Sequence, residues 1–213
     1  MKSGWLAPFV WTIIGRPVVW LTRTRLIGVE NIPKTGAVLA GNHVSYMDPV
    51  LLWASLRQPV YFMAKVELWQ NRFLAWALPR LRAFPVNRGE ADRTAISTAT
   101  DVLKAGGYVG IFPEGTRSAD GAESLGLPQG GAAFIAFRAG VPVVPVAFAG
   151  TEKVWPRGAK LPRLGKVTIG FGEPIDPESI APDAGRKERV TAVTAAIMEG
   201  IARELAAVKG VVR

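Results

Sequence analysis

Short apolar runs alternate with helix-forming stretches along most of this chain, and that alternation restricts the fold more than any other feature. Val38–Ala40, Val60–Ala64, Phe84–Asn87, Tyr108–Phe112, Val141–Phe148 and Val167–Phe171 read as strands or brief extended pieces. Between them, Val50–Leu56 reads as a helix opened by Pro49, and Leu68–Leu78 as an apolar, aromatic helix ended by Pro79. Asp92 is placed to cap a helix reaching about Lys104, with Gly106-Gly107 as its stop. Gly130–Arg138 is a small-residue helix with Gly140 behind it, and residues 151–166 read as a basic, proline-rich loop. Residues 186–209 put Val190, Val193, Ile197, Ile201, Leu205 and Val208 on one helical face. Strands alternating with helices predict an α/β fold, one layered domain with a central sheet flanked by helices. The two prolines of Val141–Phe148 remove ladder donors, so that strand is expected at an edge or irregular.

At 213 residues the chain is long enough for one sizeable core and shows no internal repeat. It has no cysteine, which excludes thiol nucleophiles, disulfides and thiolate-bound metals and fits a reducing compartment. A single histidine argues against a zinc site, so no metal is expected. Charge is uneven: residues 1–88 carry 11 Lys and Arg against 3 Asp and Glu, whereas the rest carry 15 against 14. Six of the seven tryptophans lie in the first 76 residues. Tryptophan beside Arg and Lys suits an anionic lipid surface. Nucleic acid is not expected, because no lysine-rich arm, zinc finger or RNA-binding aromatic signature accompanies the charge.

Residues 5–22 are apolar except for Arg16 and two threonines, and Pro8 and Pro17 interrupt them. The run reads as a broken hairpin or kinked helix lying in the membrane interface rather than as a span, with a core helix as the plainer alternative. No cleavable signal peptide is expected. The expected organisation is therefore residues 1–25 as membrane-associating helices and 26–213 as the main domain. The protein is expected at the cytoplasmic face of the cell membrane, peripheral or monotopic.

The only histidine, His43, lies in Asn42-His43-Val44-Ser45-Tyr46-Met47-Asp48, followed by Pro49. With Pro49 as first helical residue, Asp48 would be the N-cap. A turn between them could also fold the Asp48 carboxylate onto Nδ1 of His43, leaving Nε2 as a general base. A second element, Phe112-Pro113-Glu114-Gly115-Thr116-Arg117-Ser118, gathers hydroxyls, a guanidinium and backbone N–H groups in one loop suited to a phosphate. Glu114 could hold a substrate hydroxyl or anchor the arginine. Arg88, after Phe84-Pro85-Val86-Asn87, gains meaning only if it reaches the same cleft. No serine elbow, Walker loop or dinucleotide turn is present. A histidine base without a protein nucleophile points to a substrate hydroxyl as nucleophile.

These blocks resemble those of the glycerolipid acyltransferases, specifically the 1-acyl-sn-glycerol-3-phosphate acyltransferase group. Residues 42–48 are similar to the N-H-x-S-x-x-D block, 112–118 to the F-P-E-G-T-R block, 84–88 to a block whose residue before the arginine is usually acidic but here is Asn87, and 141–148 to a fourth. The resemblance implies a mixed, mostly parallel sheet and an N-terminal helical pair in one leaflet. It implies His43 as base and Asp48 as its orienting partner, with Asn42 and Ser45 in support. Arg88, Glu114, Gly115, Thr116 and Arg117 would bind the acceptor. The donor would be acyl-CoA or acyl-carrier protein, used as substrate, with no cofactor. The acceptor would be a lysophospholipid. A different lysolipid or glycolipid acceptor, and a non-catalytic membrane binder on the same scaffold, are the alternatives.

Overall fold

A computed structural model of the chain describes residues 11–87, 92–115, 125–156, 159 and 161–210. Seven strands form one sheet: β1 (Arg25–Ile27), β2 (Ala37–Gly41), β3 (Val60–Lys65), β4 (Ala83–Val86), β5 (Tyr108–Ile111), β6 (Val143–Ala149) and β7 (Thr168–Phe171). Their order is β1-β7-β6-β2-β5-β3-β4. Every neighbouring pair is parallel except β6 with β7, so the sheet is mixed and mostly parallel, as expected.

Helices cover both faces. On one lie α1 (Arg16–Leu21), preceded by a π-helical turn at Trp11–Gly15, and α2 (Met47–Ser55). Leu51, Leu52 and Trp53 of α2 pack there against Leu39, Val144, Val146 and Phe148. The opposite face carries α4 (Arg93–Lys104), α5 (Gly131–Ala139) and α7 (Arg186–Lys209) over Val38, Ala40, Val109 and Val143. Alternate residues of β2 thus enter different layers, the signature of a strand buried on both sides. The apolar stripe of α7 is the one read from the sequence: Val193, Ile197, Ile201, Leu205 and Val208 are buried and Val190 partly so. Truncating Ile197 or Ile201 to alanine should cost about 2–5 kcal/mol.

Four expectations are corrected. The strand with two prolines is not at an edge: β6 pairs with both β2 and β7 and is buried throughout. Val143 exchanges two backbone bonds with Ile175, and the Pro145 carbonyl accepts from Gly172 N–H, so this side of β6 faces β7. Phe171 pairs with Val146. The partner segment Phe171–Ile175 is therefore one residue longer than Val143–Val146, and the donor that Pro145 lacks falls in that bulge. Across the layer, Gly200 of α7 lets the helix close on Pro145, since a Cβ there would meet the ring at 2.6 Å.

Leu68–Leu78 is not one helix. Val66–Gln70 is a 3-10 turn and α3 spans Arg72–Ala77. Asn71 separates them because its side chain accepts from Phe73 and Leu74 N–H, a better use of asparagine than a helix interior. Asp48 is not an N-cap, since α2 begins at Met47 and puts Asp48 and Pro49 inside its first turn. Nor is the basic, proline-rich stretch 151–166 wholly a loop: it starts with the short helix α6 (Thr151–Val154).

Asp92 does cap α4, accepting from Ala95 N–H. It also accepts from Asn87 N–H, and the Asn87 and Ala95 amides hold its carboxyl below the usual range. The described part of the N-terminal run is helical and irregular at Trp11–Gly15. Trp11, Val18 and Val19 pack on the core, and Trp11 Nε1 donates to the Ala54 carbonyl. Ile13, Ile14, Trp20 and Leu21 stay exposed. No helix among the described residues is long and apolar enough to cross a membrane.

Candidate active site

Strands β2 and β5 lie side by side and parallel, with Ala40 opposite Ile111. The loops that follow them therefore leave the sheet together, at the carboxyl ends of its central strands. That is where α/β sheets place their ligand crevices. One loop carries His43 and the other Phe112–Gly115.

His43 Nδ1 lies 2.8 Å from Asp48 Oδ2. The same oxygen accepts from Val44 N–H at 2.8 Å and Ser45 N–H at 2.7 Å. An oxygen already accepting two backbone donors is an acceptor, so Nδ1 carries the hydrogen, and in the neutral ring the lone pair then sits on Nε2. No bond to Nε2 is made among the described residues. Asp48 is fully buried and His43 is 15% exposed at its side chain, so the carboxylate is shielded while the imidazole edge stays reachable.

The surroundings hold this pair in place. Asn42, buried, donates to the Phe148 carbonyl at 3.1 Å and accepts from Phe148 N–H at 2.8 Å, extending the β2–β6 ladder by a side chain. Ser45 Oγ accepts from Met47 N–H and donates to the Trp155 carbonyl, joining the α2 start to the segment after α6. The Phe112 ring stacks on the imidazole, centroids 4.1 Å apart and planes 21° apart. Glu114, also buried, accepts from His43 N–H at 3.1 Å and from Gly126 N–H at 2.8 Å. Its carboxylate thus fastens the two loops to each other. Gly115 has φ +66°, and a Cβ there would meet the Gln129 amide nitrogen at 2.7 Å, so glycine suits both the turn and the space.

Asn42, His43, Ser45, Asp48, Glu114 and Gly115 are therefore gathered at one end of the sheet. Arg88, Thr116 and Arg117 lie outside the described residues. The stretches leading to them, Val86–Asn87 and Phe112–Gly115, both leave the sheet at the His43 end. A cavity of about 190 Å³ opens there, bounded in part by Asn87, Asp92, Phe112, Gly115 and Gln129. The sequence places Phe112 at a strand end and at the head of the 112–118 motif, and Trp155 in a basic loop, but assigns no site role to Phe112, Trp155 or Gln129. The signal for Phe112 was its place at the head of the second loop, visible only once that loop is set beside His43.

A buried carboxylate orienting a partly exposed histidine, with no hydroxyl among the described residues bonded to the other ring nitrogen, is an arrangement able to serve as a general base acting on an external nucleophile. The acyltransferase family model matches residues 23–149, which contain every described element of this site except Trp155. The chain belongs to the acyltransferase family. It is 36% identical over 174 residues to the 1-acyl-sn-glycerol-3-phosphate acyltransferase of Bacillus subtilis, covering 81% of this chain and 83% of that one. The Pseudomonas aeruginosa enzyme of the same name is 32% identical, over 73% of this chain and 63% of that one. The crystal structure of the 1-acyl-sn-glycerophosphate (LPA) acyltransferase PlsC from Thermotoga maritima superposes with a TM-score of 0.75 at 28% identity, covering 95% of this chain and 81% of that one.

Proposed function

We propose that this protein transfers an acyl chain from an acyl thioester, of coenzyme A or acyl-carrier protein, to the free hydroxyl of 1-acyl-sn-glycerol 3-phosphate, giving phosphatidic acid. The observation that carries this reading is the His43–Asp48 pair, made through Nδ1 and leaving Nε2 without a bond among the described residues. In the reaction, Nε2 takes the proton of the acceptor hydroxyl as its oxygen bonds to the thioester carbonyl carbon. The tetrahedral intermediate then breaks its C–S bond, and the departing thiolate takes the proton back from His43. Asp48 stabilises the imidazolium between those steps and fixes the Nδ1–H tautomer. Base catalysis of this kind is worth about 10²–10⁴-fold. The thioester is a substrate, and these steps use no cofactor.

Arg88, Thr116 and Arg117 hold the acceptor phosphate in this reading, the guanidiniums by paired hydrogen bonds. Support comes from the direction of β4 and β5, which lead both stretches to the His43 end. The names of the relatives favour a lysophosphatidic acid acceptor. Glu114 serves this site through the backbone of His43 and Gly126. The N-terminal run seats the enzyme on the cytoplasmic face of the membrane, supported by exposed Ile13, Ile14, Trp20 and Leu21 in a basic half-chain.

The test is a donor and acceptor screen of the purified chain with mass analysis of the product. Thiol release dependent on lysophosphatidic acid, with phosphatidic acid formed, is the expected result. Absence of thiol release with every lysolipid acceptor would favour a non-catalytic binder.

A further inference from the structure

A broad groove lies away from the His43–Asp48 pair. About 1120 Å³ in volume, it lies between α1, the end of α2 and the segment entering β7. Four basic residues line it, Arg16, Arg23, Arg57 and Lys166, and among the described residues no acidic one does. All four are exposed, and none makes an ion pair among the described residues. None of its lining residues belongs to the His43 site.

Two further observations bear on what it holds. Apolar side chains stand uncovered along it: Trp20 and Leu21 on α1, and Leu164 on the opposite wall, with Trp20 and Leu164 each 76% exposed. The backbone is also strained where it presents one of the cations. α1 ends in a Schellman turn in which Thr24 N–H bonds the Val19 carbonyl and Arg23 N–H bonds the Trp20 carbonyl. The residue after the cap of such a turn is usually glycine, because it is left-handed. Here it is Arg23, with φ +44°. A conformation costly for a side-chain-bearing residue is kept where it brings a guanidinium to the groove wall.

We propose that this groove binds the phosphate of an anionic membrane lipid, distinct from the acyl acceptor. Arg16, Arg23, Arg57 and Lys166 take the phosphate, and Trp20, Leu21 and Leu164 enter the interfacial layer. The Leu161–Lys166 segment then becomes a second membrane-contacting element facing α1. A soluble nucleotide-bearing thioester offers similar phosphates, but it would not require the exposed apolar rim. The proposal rests on the reading that the protein works at a membrane surface.

The experiment is co-sedimentation of the full chain with vesicles of phosphatidylcholine alone and of phosphatidylcholine with an equal part of phosphatidylglycerol, for wild type, Arg23→Gly and Lys166→Gln. Wild type is expected to prefer the anionic vesicles, and each variant to lose about fivefold of that partition, one basic residue's share. Its binding to neutral vesicles should be unchanged. Arg23→Gly should also melt about 2–4 °C higher, because it relieves the left-handed strain while losing the lipid. Lys166→Gln carries the test if the glycine variant does not fold. Unchanged anionic partition in a folded variant overturns the site and leaves membrane association standing. A wild type that binds neither vesicle overturns both. Release of wild type from anionic vesicles by free coenzyme A, competing for the same cations, assigns the groove to the soluble ligand and overturns the lipid proposal.

Discussion

The Asn42–Asp48 loop and the Leu161–Lys166 segment lie at the same end of the sheet and are built in opposite ways. In the first, each of Asn42, His43, Ser45 and Asp48 has a hydrogen-bonded side chain, and three of the four are buried. In the second, neither Arg163 nor Lys166 has a side-chain partner among the described residues, and Leu161 and Leu164 are open. Apart from Asp48 Oδ1, which has no partner among the described residues, the first loop resembles a core in its polar satisfaction, and the three bonds to Asp48 Oδ2 fix the imidazole in place. The second spends little on its own stability and presents cations and apolar groups outward. Chemistry needs the first arrangement, because a base misplaced by about an ångström loses most of its effect. Contact with a surface is served by the second.

Substitutions that unfasten the first loop should do the most damage. Asp48→Asn keeps the shape but removes the charge facing the imidazole and can reverse the tautomer. Turnover should fall by about 10²–10⁴-fold, with a smaller change in acceptor KM. Steady-state kinetics on the folded variant check this, and wild-type turnover would break the link between carboxylate and base. Asn42→Ala touches no substrate in this account. It leaves both backbone groups of Phe148 without their partners, at about 1–3 kcal/mol each. Chemical denaturation should show that loss together with reduced turnover, and a stability unchanged within error would show that the ladder extension is dispensable. Gly115→Ala must strain a positive φ and displace Gln129, so activity should drop while stability falls by about 1 kcal/mol. In the second loop, Leu164→Ser should move stability by less than about 0.5 kcal/mol. Its effect should appear instead as weaker vesicle binding. A large loss of melting temperature there would erase the contrast between the two loops.

The legibility of each region follows the same division. Elements set by local chemistry were read from the residues: the α7 stripe, the Asp92 cap and the apolar runs of β2, β3 and β5. The pairing of His43 with Asp48 was legible as a possibility because only a turn separates them. What failed needed partners distant in sequence. β6 tolerates Pro145 inside the sheet only because β7 bulges beside it, and no feature of Val141–Phe148 itself announces that. Strand β1 is three residues at the edge and acquires its identity from pairing with β7, 143 positions later in register. Glu114 looked like a substrate ligand because its loop is polar. Its contacts with His43 N–H and Gly126 N–H appear only when the loops are juxtaposed. The π-helical turn before Pro17 likewise depends on docking against α2, through Trp11 and Ala54.

The central claim is that His43 is the base for an acyl acceptor brought from outside the protein. Its most direct test is the rate of acceptor-dependent thiol release from acyl-CoA by purified His43→Ala beside wild type, with melting temperature and vesicle binding measured on both. The account predicts a loss of about 10³-fold or more, with folding and vesicle binding retained. Transfer within tenfold of wild type by the folded variant would contradict it.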